Sequence, residues 1–481
     1  MNKLYIKRIT GIIIAIFLIL FMYIKISEIV RQKDPEYCKS TFKENADDID
    51  ILFFGTSHMI NAVFPIELWN NYGIASYNMA GHGNTVPNSY WIMINALDYA
   101  DPELIVIDCL GISNTEKTSE NYFHWSMDSF NLSKNKINAV NDLFNDPLKR
   151  YEYLFDFSLY HNRWNELSEV DFEHQQYVQY GAQLRTAVAV PKEIIDINNV
   201  NKKEIDTYGT EYLKKMIEEC QNRNIKVLLT YLPFPASEED MNESLAAEDI
   251  ANEYGVDYLN FLEMDIVDYN TDCYDDGSHL NPSGAEKVTD YIGNYIQKNY
   301  MIEDKRGDKS YHDWNENYKL YTSLKIDMLK EESNLLTYLM LLRNQDISIC
   351  LYIKGGSSIY ENKVIYQLIN NIPIYNDLEK MEEAVASEED YFMVVSNKKV
   401  WEYVNNEDDI TIDLLSGKIS YSNTNDNKKM YLEGFNNSNL YESNDIASDI
   451  EIQIYVIDDW TGSIIDTVKY AKNSDIELIR D

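Results

Sequence analysis

Basic residues are scarce in this chain. It carries 42 lysines and arginines against 80 aspartates and glutamates over 481 residues, so its formal net charge is −38. A protein that binds nucleic acid needs cationic patches that displace counterions from the phosphates. We therefore expect no nucleic-acid partner. The acidity is typical of a protein that stays soluble at an exposed surface, and equally of a source organism whose proteins are acidic in general.

Cysteine is also rare. The five cysteines form neither a Cys-x-x-Cys motif nor a Cys/His cluster, which argues against a structural zinc site, and we expect neither a metal nor a cofactor. Cys109 and Cys220 lie in apolar segments typical of a protein core. The sequence neither favours nor excludes a disulfide between Cys38 and Cys273.

One long hydrophobic run stands near the N-terminus, at Ile9–Ile24. It follows three basic residues, Lys3, Lys7 and Arg8. The run is short for a membrane-spanning helix, but Lys25 and Arg31 can reach the interface and extend it. Because no small-residue cleavage site follows, the pattern favours an uncleaved signal anchor over a removed signal peptide. The basic flank stays in the cytoplasm, which predicts a single-pass cell-membrane protein that is extracellular from about residue 32.

Strand and helix signals alternate from residue 49 onward. Strands are predicted at Ile51–Phe54, Ile74–Met79, Glu103–Asp108, Lys226–Tyr231 and Val256–Phe261. Helices are predicted at Val86–Tyr99, Thr210–Arg223, Leu245–Tyr254 and Gly284–Tyr300. This alternation predicts an α/β fold built on a doubly wound parallel sheet, in which ligands bind at the carboxyl ends of the strands. An aromatic-rich insert at about 120–205 interrupts the pattern, either as a cap over an active site or as a helical excursion with its own aromatic core.

These signals divide the chain into five parts. We predict a cytoplasmic stub and transmembrane anchor at 1–31, a stalk at 32–48, the α/β domain at 49–300, a charged linker at 301–320 and an accessory domain at 321–481. The last domain is predicted to be α+β and mostly β. Its strand-like segments are Ile347–Ile353, Tyr391–Val395 and Ile452–Ile457, and Asp458–Ser463 predicts a hairpin turn. It carries no recognisable catalytic set.

A first chemical motif, Gly55-Thr56-Ser57-His58, follows the first predicted strand. Ser57 is the candidate nucleophile, since a serine at a strand end becomes reactive when a base lies beside it. Ser57 could instead cap the helix that begins near Pro65, although the distance to Pro65 argues against this. His58 is an alternative base, but adjacent side chains usually point apart, so substrate contact or loop packing suits it better.

A second motif, Asp276-Gly277-Ser278-His279, precedes the last helix of the α/β domain. His279 is the candidate general base. Asp276 is the candidate carboxylate that orients it, because side chains three residues apart on a helical turn or in a tight loop face the same way. Nucleophile, base and acid together predict a serine acyl-transfer enzyme.

Such an enzyme also needs donors for the oxyanion of its tetrahedral intermediate. The backbone of Ser57 and the glycine loop around Gly83, after the second strand, are expected to supply them. Asn114, after the third strand, is a candidate side-chain donor. Asn84 is its alternative, and the oxyanion hole could also rest on backbone groups alone.

These motifs resemble those of the SGNH/GDSL hydrolase superfamily. The matching features are Gly55-Thr56-Ser57 after the first strand, Gly83 after the second, and Asp276 to His279 near the domain end. The resemblance covers roughly residues 49–300 and implies a three-layer, flavodoxin-like fold. One signature departs, because Gly111 and Asn114 are separated by one residue more than in the family's Gly-x-Asn motif, which puts the role of Asn114 in doubt.

A narrower resemblance is to the membrane-anchored SGNH-type proteins of alginate O-acetylation and teichoic-acid D-alanylation. It rests on the N-terminal anchor, the Gly55–His58 opening and the phrase His279–Ala285, with weaker similarity around His124/Asp128 and Tyr160–Trp164. It implies an extracellular acyltransferase that O-acetylates a surface polysaccharide beside a membrane-bound O-acyltransferase. A plain esterase with the same triad, or a non-catalytic envelope-assembly scaffold, are the alternatives.

Overall fold

The structure is a computed structural model. It describes residues 3–31, 39–118, 123–124, 127–172, 177–191, 202–275, 278–404, 409–424, 427–436, 444–446, 449–471 and 477–480. The chain forms two compact units. Unit 1 comprises Met1–Leu184, Glu193–Val267 and Ala285–Tyr318, and unit 2 comprises Arg185–Lys192, Asp268–Gly284 and Lys319–Asp481.

Unit 1 is built on a five-stranded sheet. Its strands are β1 (Ile51–Phe54), β2 (Ser76–Asn78), β3 (Leu104–Asp108), β4 (Lys226–Tyr231) and β5 (Asp257–Asn260). They lie in the order β2-β1-β3-β4-β5, and every pair is parallel. All residues of β1 and β3 are buried, which explains their continuous apolar sequences. The predicted parallel α/β sheet is confirmed, and its strand order reverses between β1 and β3, where such sheets bind ligands.

Twelve of the described α-helices lie wholly or partly in unit 1. They are α1 (Lys3–Val30), α2 (Phe42–Asn45), α3 (Ser57–Ala62), α4 (Pro65–Tyr72), α5 (Val86–Ala96), α6 (Lys134–Leu143), α7 (Pro147–Leu154), α8 (Asp156–Tyr160), α9 (Tyr208–Asn222), α10 (Glu238–Tyr254), α11 (Pro282–Asn299) and α12 (His312–Glu331). Hydroxyl caps at Thr85, Thr207 and Ser237 start α5, α9 and α10. Gly255 ends α10 in the left-handed conformation that glycine adopts without strain.

The first helix is long and apolar enough to cross a membrane. The segment Tyr5–Val30 has 26 residues, and an 18-residue stretch within it has a mean hydropathy of 2.6. The segment predicted as a stalk is described from residue 39, and there it packs on the sheet. The Phe42 ring lies edge-on to Tyr77 at 5.2 Å, and the Thr41 hydroxyl lies 2.8 Å from the Tyr77 hydroxyl. Aromatic packing and a hydrogen bond therefore hold Thr41 and Phe42, which the polar composition had assigned to a stalk, against the sheet.

The segment predicted as a linker also packs on unit 1, as far as Tyr318. Trp314 stacks on Tyr180 with ring centroids 3.8 Å apart, and Asn317 donates to the Tyr180 hydroxyl at 2.6 Å. Lys305 forms an ion pair with Asp50, just before β1. Buried aromatic side chains decide this packing, and the many charges around them hide it in the sequence.

Unit 2 contains two antiparallel sheets and a small hairpin. Its strands are β6 (Cys273–Asp275), β7 (His279–Leu280), β8 (Ile347–Ile353), β9 (Tyr391–Ser396), β10 (Lys399–Val404), β11 (Ile410–Asp413), β12 (Lys418–Thr424), β13 (Asn427–Glu433), β14 (Asn444–Asp445), β15 (Ile450–Asp458), β16 (Ser463–Ala471) and β17 (Ile479–Arg480). One sheet has the order β10-β9-β8-β15-β16-β17, the other β11-β12-β13-β14, and β6 pairs with β7. Its helices are α13 (Leu335–Leu341), α14 (Lys363–Asn371) and α15 (Met381–Ser387). The mostly β character predicted for the C-terminal region is confirmed.

The core of unit 2 lies on both faces of the larger sheet. Ile349 and Leu351 of β8 pack with the helices, whereas Cys350 and Tyr352 pack with the smaller sheet. The predicted turn at Asp458–Ser463 is confirmed, since it joins the antiparallel strands β15 and β16. Burial of β8 on both faces explains why it is apolar throughout.

Candidate active site

Ser57 lies at the first position of α3, directly after β1. The N-cap of α3 is Thr56, whose hydroxyl accepts from the His58 backbone N–H at 3.3 Å. Phe64 occupies the N-cap of α4, so Ser57 does not cap the helix that begins at Pro65. Ser57 is half-buried, at the carboxyl end of β1 and beside the point where the strand order reverses. This is the position in the sheet at which a nucleophile meets a ligand.

Gly55 allows the ends of β1 and β3 to approach each other. A Cβ atom at Gly55 would lie 2.8 Å from the Asp108 Cβ and 3.2 Å from the Met59 Cβ. Asp108 is buried, and its Oδ1 accepts from the Leu232 N–H at 3.2 Å, whereas its Oδ2 has no hydrogen-bond partner among the described atoms. Burial, together with the charge of Glu243, raises the pKa of Asp108 to about 7. Sequence analysis missed this carboxyl group because it reads as the end of an ordinary apolar strand.

The glycine loop after β2 contacts the Gly55 carbonyl. The Gly81 N–H donates to the Gly55 oxygen at 3.2 Å, and Asn84 Nδ2 donates to the same oxygen at 3.5 Å. Asn84 is 3% exposed. Gly83 lies in the turn between them, solvent-exposed and with φ of +57°. Of the predicted donors in this loop, the structure therefore brings Asn84 to the nucleophile segment.

Two other predicted residues occupy different surroundings. Asn114 is exposed; its N–H donates to the Gly111 oxygen at 3.1 Å, and its carbonyl accepts from the Gly209 N–H at 3.2 Å. These contacts place it in a turn beside the first residues of α9. The His58 ring lies edge-on to Phe234 with centroids 4.6 Å apart. This contact agrees with a packing role for His58.

Two polar residues that the sequence did not single out hold α3 and the glycine loop of unit 1. Asn78, buried at the end of β2, donates from Nδ2 to the Met59 carbonyl of α3 at 2.8 Å. Lys39 is 3% exposed, and its ammonium group donates to the Met79 carbonyl at 3.0 Å and to the Ala80 carbonyl. A buried cation thus lies where the glycine loop begins. Neither contact has a sequence signal, because each joins distant segments.

The second predicted motif lies in unit 2, on the β6–β7 hairpin. His279 Nδ1 is 2.7 Å from Asp275 Oδ2, and the His279 backbone N–H donates to Asp275 Oδ1 at 3.0 Å. Asp276, the predicted partner, lies outside the described residues. Asp275 and His279 face each other across two antiparallel strands. The sequence argument rested on a helical turn or tight loop, in which side chains three residues apart face the same way, whereas the contact observed at Asp275 is a cross-strand one.

The surroundings of the pair keep Asp275 ionised. Burial would raise the pKa of its carboxyl group, but the hydrogen bond and charge of His279 outweigh it, so the pKa of Asp275 is below its usual value. The Ser278 hydroxyl also donates to Asp275, at 3.0 Å, and the Tyr274 ring stacks on the imidazole at 5.7 Å. A carboxylate that accepts from Nδ1–H leaves Nε2 as the basic nitrogen.

Asn281 ties the hairpin to its neighbours within unit 2. Its Nδ2 donates to the Thr271 carbonyl at 2.8 Å and to the Ala187 carbonyl at 3.0 Å, and its Oδ1 accepts from the Gly284 N–H at 3.3 Å. A Cβ atom at Gly284 would lie 2.6 Å from the Asp272 carbonyl oxygen. Asn281 therefore serves to hydrogen-bond the hairpin to its neighbours, and Gly284 allows the chain to pass close to the Asp272 carbonyl.

The insert contains a second histidine–aspartate pair. His124 Nδ1 lies 3.2 Å from Asp128 Oδ2, which also accepts from the Tyr160 hydroxyl at 2.7 Å. His124 thus has a carboxylate partner four residues farther along the chain. Phe144 and Tyr153 stack nearby at 4.2 Å. This packing favours, for the described part of the insert, the interpretation as a helical excursion with its own aromatic core.

The cysteines in the described part of the chain lie in the protein core. Cys109, Cys220, Cys273 and Cys350 are free and buried. Burial raises the pKa of Cys273 to about 12. Burial also raises the pKa of Cys109, which directly follows β3. Cys38 lies outside the described residues. No group of three or more His, Cys, Asp or Glu side chains in the described part of the chain could hold a metal ion.

Comparisons with known proteins find structural likeness only. No family model matches the sequence, and no curated protein is significantly similar to it. An acylhydrolase of Bacteroides fragilis, whose assignment is provisional, shares 13% identity over 56% of this chain and 99% of its own, with a TM-score of 0.29. A GDSL-like lipase of Bacteroides thetaiotaomicron shares 14% identity over 53% of this chain and 90% of its own, with a TM-score of 0.27. Likeness at this level carries no argument about activity.

Proposed function

We propose that this protein is a membrane-anchored serine acyl-transfer enzyme. Ser57 is its nucleophile, His279 its general base and Asp275 the carboxylate that orients His279. The observation that carries the proposal is the 2.7 Å hydrogen bond between Asp275 and His279, since it prepares an imidazole for proton transfer. The pairing of Ser57 with His279 is part of the proposal. It is supported by the position of Ser57 at the reversal of the strand order and by the order of the motifs along the chain.

The proposed reaction has two steps. Ser57 Oγ attacks the carbonyl carbon of an ester while His279 Nε2 takes the hydroxyl proton. The leaving alcohol takes that proton from His279 as its bond to the acyl carbon breaks, and an acyl-serine remains. An acceptor hydroxyl then gives its proton to His279 and attacks the acyl-serine, which releases the transferred ester and restores Ser57.

Negative charge develops on the carbonyl oxygen in both steps. We assign its donors to the Ser57 backbone N–H and to the loop that carries Gly83 and Asn84, because first-turn N–H groups of a helix have no acceptor within the helix. Asn84 is preferred to Asn114 because Asn84 lies against the Gly55 carbonyl. Asn114 is exposed in another turn.

The substrates form the finer part of the proposal. We infer that α1 anchors the chain in the cell membrane, that the remainder is extracellular, and that an acetyl group passes to a hydroxyl of a surface polysaccharide. A membrane-bound O-acyltransferase is the proposed partner that delivers the acyl group. The apolar helix and the motif resemblance support this version. The same residues would make an esterase if water were the acceptor.

A chromogenic acetyl ester tests the chemistry, with the full chain purified in detergent. Removing the nucleophile or base, in Ser57→Ala or His279→Ala, should lower kcat/KM by about 10²–10⁴-fold. Ser323→Ala and His312→Ala on α12 are matched controls expected to keep full activity. Full activity in Ser57→Ala would refute the proposed nucleophile, and an inactive wild type would favour a scaffold.

The acceptor can be tested in the same assay. Addition of a soluble oligosaccharide should divert acyl groups from free acetate to a sugar ester, with both products lost in Ser57→Ala. Production of free acetate alone at every acceptor concentration would favour the esterase.

A further inference from the structure

The C-terminal end of α1 is held by the insert within unit 1. One stripe of its last turns is the less exposed side: Tyr23, Ile26, Ser27 and Val30. These positions follow the spacing of a single helix face. Val30 is 0% exposed, whereas Ile24 is 53% exposed. The Tyr23 ring lies edge-on to Phe157 of α8 at 5.7 Å. The C-terminal turns of α1 therefore pack directly against α8.

Arg163 closes this contact. Its Nη1 donates to the Val30 carbonyl at 2.7 Å, and its Nη2 lies 3.3 Å from Asp171 Oδ1. The Asp171 side chain is 1% exposed. The last carbonyls of a helix have no partner within it, so a guanidinium group at this end is a stabilising cap. Two short turns of the insert, around Arg163 and Asp171, are thereby fixed at the end of α1.

Large apolar side chains are exposed on these same turns. Trp164, next to Arg163, is 51% exposed, and Val170 and Phe172, on either side of Asp171, are 37% and 65% exposed. Each is a sequence neighbour of a residue that binds the helix end or its cap. Clustered exposed apolar residues commonly mark a surface with a partner.

The length of α1 places this cluster near the level of the lipid headgroups. The apolar run ends at Ile24, and Val30 lies six residues farther, about 9 Å along the helix axis. The polar layer on each side of a bilayer is about 5–8 Å thick. Val30 and the turns bound to it would thus lie at the outer edge of that layer, where tryptophan is enriched in membrane proteins.

We propose that Trp164, Val170 and Phe172 rest in the headgroup layer of the membrane that α1 crosses. The partner of this surface is the lipid bilayer. The inference rests on the anchoring role given to α1 in the proposed function, and adds that unit 1 is held against the membrane through a second contact. Such a contact would fix the distance between the Ser57 loop and the bilayer.

Tryptophan quenching by brominated lipids tests this contact with the full chain in zwitterionic vesicles. The segment α1 contains no tryptophan, so quenching reports only on the rest of the protein. Bromines near the glycerol end of the acyl chains should quench wild-type emission more than bromines at mid-chain. Trp164→Phe should lose most of this quenching. Trp460→Phe, which removes a tryptophan of unit 2 that is 61% exposed, should retain it.

A second variant adds a tryptophan to the proposed contact instead of removing one. Phe172→Trp should add emission that shallow bromines quench. Vesicle flotation in carbonate, run in parallel, separates the two hypotheses. Chains that float while Trp164→Phe and Phe172→Trp leave the quenching unchanged would overturn the lipid contact alone. Chains that fail to float would overturn the anchor, and the contact with it.

Discussion

Asp275 Oδ2 accepts a hydrogen bond from His279 Nδ1 at 2.7 Å, across the two strands of a short hairpin. Because antiparallel partners face each other on one side of a hairpin, the carboxylate four residues before the histidine meets the imidazole. The same acid also binds the His279 backbone N–H at 3.0 Å. The pair is therefore positioned by the backbone as well as by the side chains.

Exchange of the two neighbouring aspartates tests which one orients His279. Asp275→Asn should lower kcat/KM on an acetyl ester by at least about 10²-fold, because the neutral amide no longer favours the Nδ1–H tautomer or stabilises an imidazolium. Asp276→Asn should have a much smaller effect. Loss of activity only in Asp276→Asn would restore the carboxylate that the sequence motif suggested.

Truncation of Asn281 should loosen the hairpin. Asn281→Ala leaves the Thr271 and Ala187 carbonyls without their donor. It should lower the free energy of unfolding of unit 2 by about 2–4 kcal/mol and should also reduce the rate of ester hydrolysis. Urea unfolding followed by circular dichroism measures the loss. Asn299→Ala, an exposed position on α11, serves as the control and should change stability by less than about 0.5 kcal/mol. Equal stability of the two variants would show that Asn281 does not hold the hairpin.

A methyl group at Gly55 should disturb the nucleophile loop. In Gly55→Ala the new Cβ would lie 2.8 Å from the Asp108 Cβ, so β1 and β3 must separate, at a cost of about 1–3 kcal/mol and with reduced activity. Gly307→Ala is the matched control, because its Cβ would meet nothing within 4 Å. Thermal unfolding and ester hydrolysis measure both effects. A Gly55→Ala variant with the stability and activity of Gly307→Ala would contradict the close approach.

Asp108 should make unit 1 less stable as the pH rises. Burial raises its pKa in the folded state to about 7, from 3.8 for an exposed aspartate. The folded state thus holds a proton that the unfolded state has released between these values. The contribution of Asp108 is fully favourable below about pH 4 and is lost progressively up to about pH 7, by at most about 4 kcal/mol.

Asp108→Asn should remove this dependence. The difference in unfolding free energy between wild type and variant should shift toward the variant as the pH rises from 4 to 8. The exposed substitution Asp101→Asn supplies the control for general charge effects. A difference that stays constant over this range, or shifts toward the wild type, would show that Asp108 is ionised in the folded state throughout.

Local patterns predicted the parts of this protein that depend on neighbours in the chain. The continuous apolar runs of β1 and β3 predicted the parallel sheet, and the position of Ser57 after β1 followed from it. The hydrogen bond between Asp275 and His279 depends on the register of β6 and β7, which motif spacing does not specify. Asp108, Asn78 and Lys39 also escaped detection, because their partners lie on distant segments.

The sequence by itself determined the apolar N-terminal helix, the alternation of strands and helices that places Ser57 after β1, and the mostly β character of the C-terminal region. Each follows from hydrophobic periodicity, which is a local property. Three contacts were decided by the tertiary structure alone. Asp275 accepts a hydrogen bond from His279, Asp108 packs closely against Gly55, and Arg163 donates to the last carbonyl of α1. These are contacts between side chains and backbone groups brought together by folding, and their geometry depends on burial and register that no single segment encodes.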